Sequence, residues 1–173
     1  GLCNGIALPV TIISGTFGKA FGSGGAFLAC DKQMGDSLLQ SSGAFRYTTA
    51  LAPPLTAAAL AALNLIKANP DWGIKLLKRA QYWRSKLSNK DFPPPPGHGQ
   101  IIPLISGSDQ KAIEHQNLLE AKGLLTVAIR PPSVPEGSSR LRLILRRDLP
   151  EGTLDKLLNA FKRFGNCKLT GQI

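Results

Sequence analysis

The feature that most constrains this chain is a glycine-rich segment between two apolar runs. Glycine occupies five of the twelve positions from 14 to 25. The apolar runs at residues 9–13 and 25–30 predict buried strands on either side. We therefore expect residues 14–25 to be irregular, with a backbone that a ligand can approach closely because few side chains stand in its way.

Lys19 lies in the middle of this segment, directly after Gly18. A lysine held there can be rigid and partly shielded from water, which makes its amine a better nucleophile or Schiff-base former. The hydroxyls of Thr16 and Ser23 could donate to phosphate oxygens. The spacing excludes a P-loop, because two residues rather than four precede Gly-Lys and Ala20 follows it. The alternative is a surface lysine in a flexible hairpin.

Further along the chain, the pattern predicts an α/β protein in three parts. These parts are residues 1–52, with the two predicted strands and Lys19 between them; 53–97, helices and a proline-rich loop; and 98–173, a small α+β domain. Helices are expected over residues 36–39, from Pro53 to 66 or 67, and from an Asp71 cap to 87. The tail is expected to run β-α-β-β-α, over residues 101–105, 109–123, 124–129, 140–146 and 150–164.

The last predicted strand separates a core face from an open face. Leu141, Leu143 and Leu145 alternate with arginines, so the leucines are expected to face the core. Arg140 and Arg142 then share the opposite face, where a ligand could reach them.

Composition limits the partners and the cellular setting. The net charge of +10 favours an anionic partner, unless an acidic part elsewhere balances it. Three widely spaced cysteines form neither a metal pair nor a disulfide framework, and the two histidines lack metal-ligand spacing, so no metal site is expected. These features predict a reducing, cytoplasmic setting. The chain begins at Gly1, so we expect a piece of a longer polypeptide.

Three motifs resemble the α-oxoamine synthases, a family of fold-type I enzymes that depend on pyridoxal 5'-phosphate (PLP). Residues 15–22 (GTFGKAFG) resemble the family's lysine segment, and residues 47–51 (YTTAL) resemble its Tyr-Thr-Thr segment. Residues 128–143 (AIRPPSVPEGSSRLRL) resemble a signature of one member. The motifs follow the family's order, and the resemblance covers the carboxy-terminal part of the family's chain. It implies that residues 1–52 are the end of the family's large PLP-binding domain.

The resemblance implies a role for each matching residue. Lys19 would hold PLP covalently and move the proton at the substrate Cα. Thr16 would bind the cofactor phosphate, and Thr49 would reach the phosphate of the other subunit of a homodimer. Arg142 would bind the amino-acid carboxylate, and Arg130 would lie on the acyl-substrate side.

The implied reaction is the condensation of L-alanine with pimeloyl-CoA or pimeloyl carrier protein, with loss of CO2, in biotin biosynthesis. Glycine C-acetyltransferase and 5-aminolevulinate synthase are the alternatives within the family, and residues 129–132 (IRPP) argue against both. Neither a nucleic acid nor a membrane is expected as a partner. A basic nucleic-acid-binding module is the alternative from another class. It explains the charge but not Lys19, and the chain lacks aromatic residues interleaved with basic ones.

Overall fold

The computed structural model describes residues 12–88 and 94–162. The chain divides into two compact units, Gly1–Pro70 and Asp71–Ile173, and each contains both strands and helices. The predicted α/β class is confirmed. The predicted division into domains at residues 52 and 97 stays a prediction.

The first unit begins with an antiparallel pair of strands. β1 (Ile12–Thr16) pairs with β2 (Ala26–Cys30) so that Gly15 lies opposite Phe27. The prediction of a strand at 25–30 is confirmed to within one residue, whereas the predicted strand at 9–13 lies mostly outside the described residues. The expectation that residues 14–25 are wholly irregular is wrong for 14–16, because these residues pair with β2 despite their small side chains.

Three helices complete the first unit: α1 (Lys32–Ser41), α2 (Gly43–Arg46) and α3 (Pro53–Ala68). Asp31 caps α1 by accepting a hydrogen bond from the Met34 N–H at 2.8 Å. Helix α1 is longer than predicted, and α2 was not predicted. Two prolines occupy the first turn of α3, as the sequence indicated, because their missing N–H groups have no partner there anyway.

The second unit begins with α4 (Trp72–Leu87) and continues in the predicted order β-α-β-β-α. Its further elements are β3 (Ile101–Gly107), α5 (Asp109–Glu120), β4 (Val127–Ile129), β5 (Ser139–Ile144) and α6 (Thr153–Phe161). The three strands form an antiparallel sheet in the order β3-β5-β4. Strand β4 has only three residues of the six predicted, and residues beyond 162 of the last predicted helix lie outside the described range.

The core of the second unit confirms the predicted alternation. Leu141, Leu143 and Leu145 are 0%, 6% and 3% exposed, and they pack against α4, α5 and α6. Burial of these side chains provides the main driving force for folding the unit. The cluster comprises Ala80, Trp83, Leu87, Ile102, Leu104, Leu119, Leu141, Leu143, Leu145, Leu157, Ala160 and Phe161.

Two helix caps differ from the sequence prediction. Asp71 does not cap α4, because its backbone is already helical and its carboxylate pairs with Lys75. Ser108, with extended backbone angles, caps α5 in place of Asp109 by accepting from the Lys111 N–H at 3.3 Å. The Asp109 carboxylate instead accepts a hydrogen bond from the buried Ser139 hydroxyl.

Candidate functional site

Lys19 lies in a hydrogen-bonded loop, residues 17–25, that joins β1 to β2. The Gly22 N–H donates to the Lys19 carbonyl at 3.0 Å and closes a tight turn. Where the loop leaves the two strands, the Phe17 N–H donates to the Gly25 carbonyl and the Ser23 N–H donates to the Phe17 carbonyl, both at 2.9 Å. The backbone of the loop is therefore fixed by its own hydrogen bonds.

The Lys19 side chain itself is exposed. Its amine makes no hydrogen bond or ion pair with any residue in the described ranges. The sequence predicted that this amine is partly shielded from water, but residues 12–70 of the first unit do not shield it. The amine is free to react with a carbonyl group brought to the loop.

The two hydroxyls near Lys19 have different roles in the fold. Thr16 Oγ1 accepts from the Gly18 N–H at 3.1 Å and donates to the Gly25 carbonyl at 3.3 Å. Ser23 Oγ donates to the Leu55 carbonyl at 2.6 Å, which commits its proton to the first turn of α3. Thr16 is exposed and its donated bond is long, so its hydroxyl is more readily available to a phosphate than that of Ser23.

Thr49 is exposed in the segment between α2 and α3, and the structure brings this segment against the lysine loop. Leu51 and Leu55 fill the space beside the two glycines that end the loop. A Cβ on Gly24 would lie 3.1 Å from Leu55 Cδ1, and Gly25, at φ +91°, has a conformation that favours glycine. The pair of glycines was a signal for this contact that sequence reasoning missed.

Arg142 lies on the central strand of the second unit's sheet, on the face opposite the core. It is exposed, and its Cα register partners are Pro103 and Val127. Its guanidinium has no hydrogen-bond or ion-pair partner among the described residues. Arg140 shares this face but is half-buried, and its Nε donates to the Ser138 carbonyl at 2.8 Å. Of these two arginines, Arg142 is the one available to a carboxylate.

Arg130 directly follows β4 at the start of a turn. Its carbonyl accepts from the Ser133 N–H at 3.0 Å, and its side chain is exposed. Lys19, Thr16 and Thr49 thus belong to the first unit, whereas Arg130 and Arg142 belong to the second.

Other arginines of the second unit serve the fold, a role that sequence reasoning missed. Arg79 Nη1 donates to the carbonyls of Arg146 and Arg147 at 3.0 and 2.5 Å, just after β5 ends. The Arg147 guanidinium stacks 3.9 Å from the centre of the Trp72 ring, rather than being only a solvated charge. Arg84 Nη2 donates to the Ile101 carbonyl at 2.8 Å.

The second unit contains a cavity of about 660 Å³ that none of the five predicted site residues lines. Trp83, Thr126 and Lys156 are among the residues that do line it. Within residues 12–88 and 94–162, no three metal-ligating side chains cluster. No helix in those ranges is both long and apolar enough to cross a membrane.

His115 lies on α5 and contacts strand β3. It is half-buried, and its Nδ1 lies 3.1 Å from Ser106 Oγ. Burial lowers the pKa of the imidazole below its ordinary value, while nearby Glu114 raises it and Lys111 lowers it.

Comparison with known proteins identifies similar chains. Residues 3–161 match the model of the aminotransferase class I and II family. An 8-amino-7-oxononanoate synthase of Methylobacterium nodulans is 37% identical over 151 residues, which are 87% of this chain and 38% of that protein. The chain therefore spans about two fifths of the length of this relative.

Two solved structures show the same fold. The serine palmitoyltransferase of S. paucimobilis, with a bound PLP–myriocin compound, has a TM-score of 0.79 at 19% identity and covers 91% of this chain and 40% of its own. The 8-amino-7-oxononanoate synthase of Francisella tularensis has a TM-score of 0.74 at 23% identity, covering 90% of this chain and 45% of its own. In both cases the likeness extends over most of the described chain.

Proposed function

The chain belongs to the aminotransferase class I and II family, and from that premise we propose that it is the carboxy-terminal part of a PLP-dependent acyltransferase. The observation that carries the proposal is the free amine of Lys19 on a loop fixed by hydrogen bonds. The relatives named 8-amino-7-oxononanoate synthase support the same class of reaction.

The residues of the lysine loop fit PLP by their chemistry. PLP presents an aldehyde and a phosphate; the loop offers an exposed primary amine at Lys19, and the end of β1 offers an exposed hydroxyl at Thr16. A Cβ on Gly22 would meet no atom within 4 Å, so this side of the loop is open to a ligand. When bound, PLP supplies an electron sink that stabilises negative charge at the substrate Cα.

Each proposed site residue then has one task. Lys19 would hold the cofactor through Nζ; once the amino group of the substrate has displaced it, the freed Nζ would take and return the proton at the substrate Cα. Thr16 donates its hydroxyl proton to the phosphate, and Thr49 does so for the phosphate of the other subunit of a homodimer. These hydrogen bonds to an anion are stronger than those between neutral groups.

Arg142 is proposed to bind the carboxylate of the amino acid. A guanidinium can donate two parallel hydrogen bonds to a carboxylate, which fixes the orientation of the bonds at Cα. The central strand β5 is hydrogen-bonded on both sides, so the backbone beneath Arg142 is held rigidly. Arg130, at the end of β4, is proposed to face the acyl substrate.

The proposed substrates are L-alanine and a pimeloyl thioester, and the proposed product is 8-amino-7-oxononanoate, on the route to biotin. The relative from Methylobacterium nodulans supports this choice over glycine C-acetyltransferase and 5-aminolevulinate synthase. Turnover by the full-length protein with L-alanine and pimeloyl-CoA, but not with glycine and acetyl-CoA or succinyl-CoA, is the expected result.

The lysine assignment is tested by borohydride reduction of the full-length protein in the presence of PLP, followed by peptide mass mapping. We expect the covalent label on Lys19, and none after Lys19→Ala. Lys32 and Lys67 serve as internal controls, because both are exposed amines of the same unit. A label on either of them, with Lys19 unmodified, would overturn the proposal.

A further inference from the structure

We propose that Phe27 is a positioning residue for Lys19, an inference that rests on the proposed role of Lys19. It acts through an aromatic clamp, defined here as the rings of Phe17, Phe21 and Phe27. Phe27 lies on β2, eight residues from Lys19 in sequence, and belongs to none of the three motifs that resemble the α-oxoamine synthases.

The first step is the contact between Phe27 and Gly15. The two residues are direct partners across the strands, and the ring lies over the glycine so closely that a Cβ there would overlap it. An aromatic ring covering a cross-strand glycine supplies the side-chain packing that the glycine lacks. The close approach therefore requires both residues, a glycine on β1 and a ring on β2.

The second step links Phe27 to the loop. The Phe17 ring is tilted by 37° against the Phe27 ring, with the centroids 5.3 Å apart. The Phe21 ring meets Phe17 edge-on at 5.1 Å and 75°. The edge-on pair has one of the geometries that aromatic pairs prefer, and both centroid separations lie within the range of about 4.5–7 Å over which such rings attract each other.

The third step concerns Lys19 itself. Phe17 and Phe21 lie two residues before and two residues after Lys19. Because their rings are held together, the backbone between them is bent into the turn that the Gly22-to-Lys19 hydrogen bond closes, and Lys19 stands on its outer side. In this arrangement the position of the amine depends on the ring contact between Phe17 and Phe21 and, through Phe17, on Phe27.

The clamp has empty space beside it, which makes it sensitive to truncation. The three rings line an apolar cavity of about 390 Å³ together with Leu51 and residues of α3. Removing the Phe27 ring would enlarge this cavity and take away one of the two ring partners of Phe17, so the loop could relax into the space. A misplacement of about 1 Å at a reacting group can cost up to about a hundredfold in rate.

The test uses the full-length protein loaded with PLP and compares Phe27→Ala with Leu28→Ala. Leu28 is the neighbour of Phe27 on the same strand, is 52% exposed and lies opposite Ser14 rather than Gly15. We expect Phe27→Ala to lower kcat roughly 10–100-fold with little change in KM. We also expect it to shift the pH midpoint of the visible absorbance of the bound cofactor. Leu28→Ala is expected to change neither quantity.

A double-mutant cycle separates positioning from general loss of stability. Gly15→Ala should damage kcat because its Cβ displaces the ring, but it should cost much less when Phe27 is already alanine. Phe27→Leu, which restores part of the volume, should recover part of the loss. If Phe27→Ala does not fold, Phe27→Leu and Gly15→Ala decide the question on the same two readouts.

The outcomes distinguish this inference from the proposed function. If the unmodified protein is not labelled at Lys19, the proposed function fails and the clamp has no role in it. If Lys19 is labelled but Phe27→Ala or Phe27→Leu keeps the wild-type kcat and absorbance midpoint, the clamp proposal is wrong. Equal effects of Leu28→Ala, or strictly additive effects of Gly15→Ala and Phe27→Ala, would also overturn it.

Discussion

The two units hold their proposed site residues in different ways. In the second unit, Arg142 lies on a sheet whose other face is packed into a core that includes Leu141 and Leu143. In the first unit, Lys19 lies on a loop held by backbone hydrogen bonds and three aromatic rings, and Ala59 is the one buried hydrophobic residue within residues 12–70. The sheet thus has an apolar core beneath it, whereas the hairpin does not.

Local geometry and stability are therefore separate properties of the lysine loop. Its shape follows from short-range hydrogen bonds and ring contacts. Its stability must be lower than that of the sheet, because many large apolar side chains of the first unit remain exposed instead of contributing burial. These are Ile12, Ile13, Phe27, Leu28, Leu39, Phe45, Tyr47, Leu51, Leu55, Leu60, Leu65 and Ile66.

The largest expected effect concerns activity. The 173-residue chain alone should show no condensation of alanine with pimeloyl-CoA, because its lysine loop lacks a core to support it and the chain spans about two fifths of its relatives' length. An assay of product formation, run beside the full-length protein as the positive control, checks this. Measurable turnover by the short chain would show that the first unit needs no further support.

The next prediction tests the core of the second unit. Leu141→Ala should lower the free energy of unfolding by about 2–5 kcal/mol, since it leaves a cavity beneath β5. Leu125→Ala, a change of the same size in the same unit at a side chain that is 87% exposed, is the matched control and should cost far less. Both tryptophans, Trp72 and Trp83, lie in the second unit, so fluorescence during urea unfolding reports on it. Equal losses of unfolding free energy in the two variants would contradict the role of the apolar core beneath the sheet.

Arg142 is next to Leu141 but on the other face of the strand, so its replacement should affect binding and leave the fold intact. In the full-length protein, Arg142→Ala should weaken alanine binding by about 2–5 kcal/mol if the ion pair is buried. Arg142→Lys should restore it only in part, because an ammonium lacks the planar fork. Arg140→Ala is the control, since that side chain already donates to Ser138. An alanine titration that gives the same Kd for Arg142→Ala as for the wild type would refute this role.

Hydrogen exchange on the 173-residue chain compares the two units directly. Amides of the β1–β2 pair should exchange at least about a hundredfold faster than those of β3 and β5, a difference of about 2.8 kcal/mol in opening free energy. Mass spectrometry of peptides from each unit measures this. Similar protection in both units would mean that the hairpin does not need a core of its own.

The smallest expected effect is a pH dependence confined to the second unit. Because burial lowers the pKa of His115, the unfolded chain binds its proton more readily than the folded one. The contribution of the neutral imidazole to the free energy of unfolding is therefore fully present above pH 6.5. It is lost as the pH drops through the lower pKa that His115 has in the folded state. Urea unfolding between pH 7 and 5 should show this decline, and His115→Gln should reduce it. His98→Gln, at an exposed position, should leave it unchanged.

Much of the second unit could be predicted from the sequence. The alternation along residues 140–146, most of which form β5, placed three leucines in the core, because a strand turns successive side chains to opposite faces. The order β-α-β-β-α followed from strand and helix periods alone. The boundaries were less certain, as in β4, because the pairing partner decides where a strand ends.

The proposed site was predictable only in part. Sequence motifs singled out Lys19 and Thr16, and the structure places Lys19 on the loop and Thr16 at the end of β1 just before it. Nothing in the pattern indicated that Ser23 binds the Leu55 carbonyl or that Phe27 covers Gly15. These contacts join positions 32 and 12 residues apart, and no periodicity extends across such distances. The sequence also indicated a shielded Lys19, which the first unit alone does not provide.

By itself, the sequence determined the local periods, the prolines that begin α3 and the glycines that permit the lysine loop, because these depend on backbone sterics within a few residues. The remaining features depend on the tertiary structure. In the folded chain, Ser108 rather than Asp109 caps α5, and Arg140 donates a hydrogen bond whereas Arg142 is free. The fold also brings the rings of Phe17, Phe21 and Phe27 together. Each of these outcomes depends on which distant group lies within contact distance, and only the folded chain fixes that.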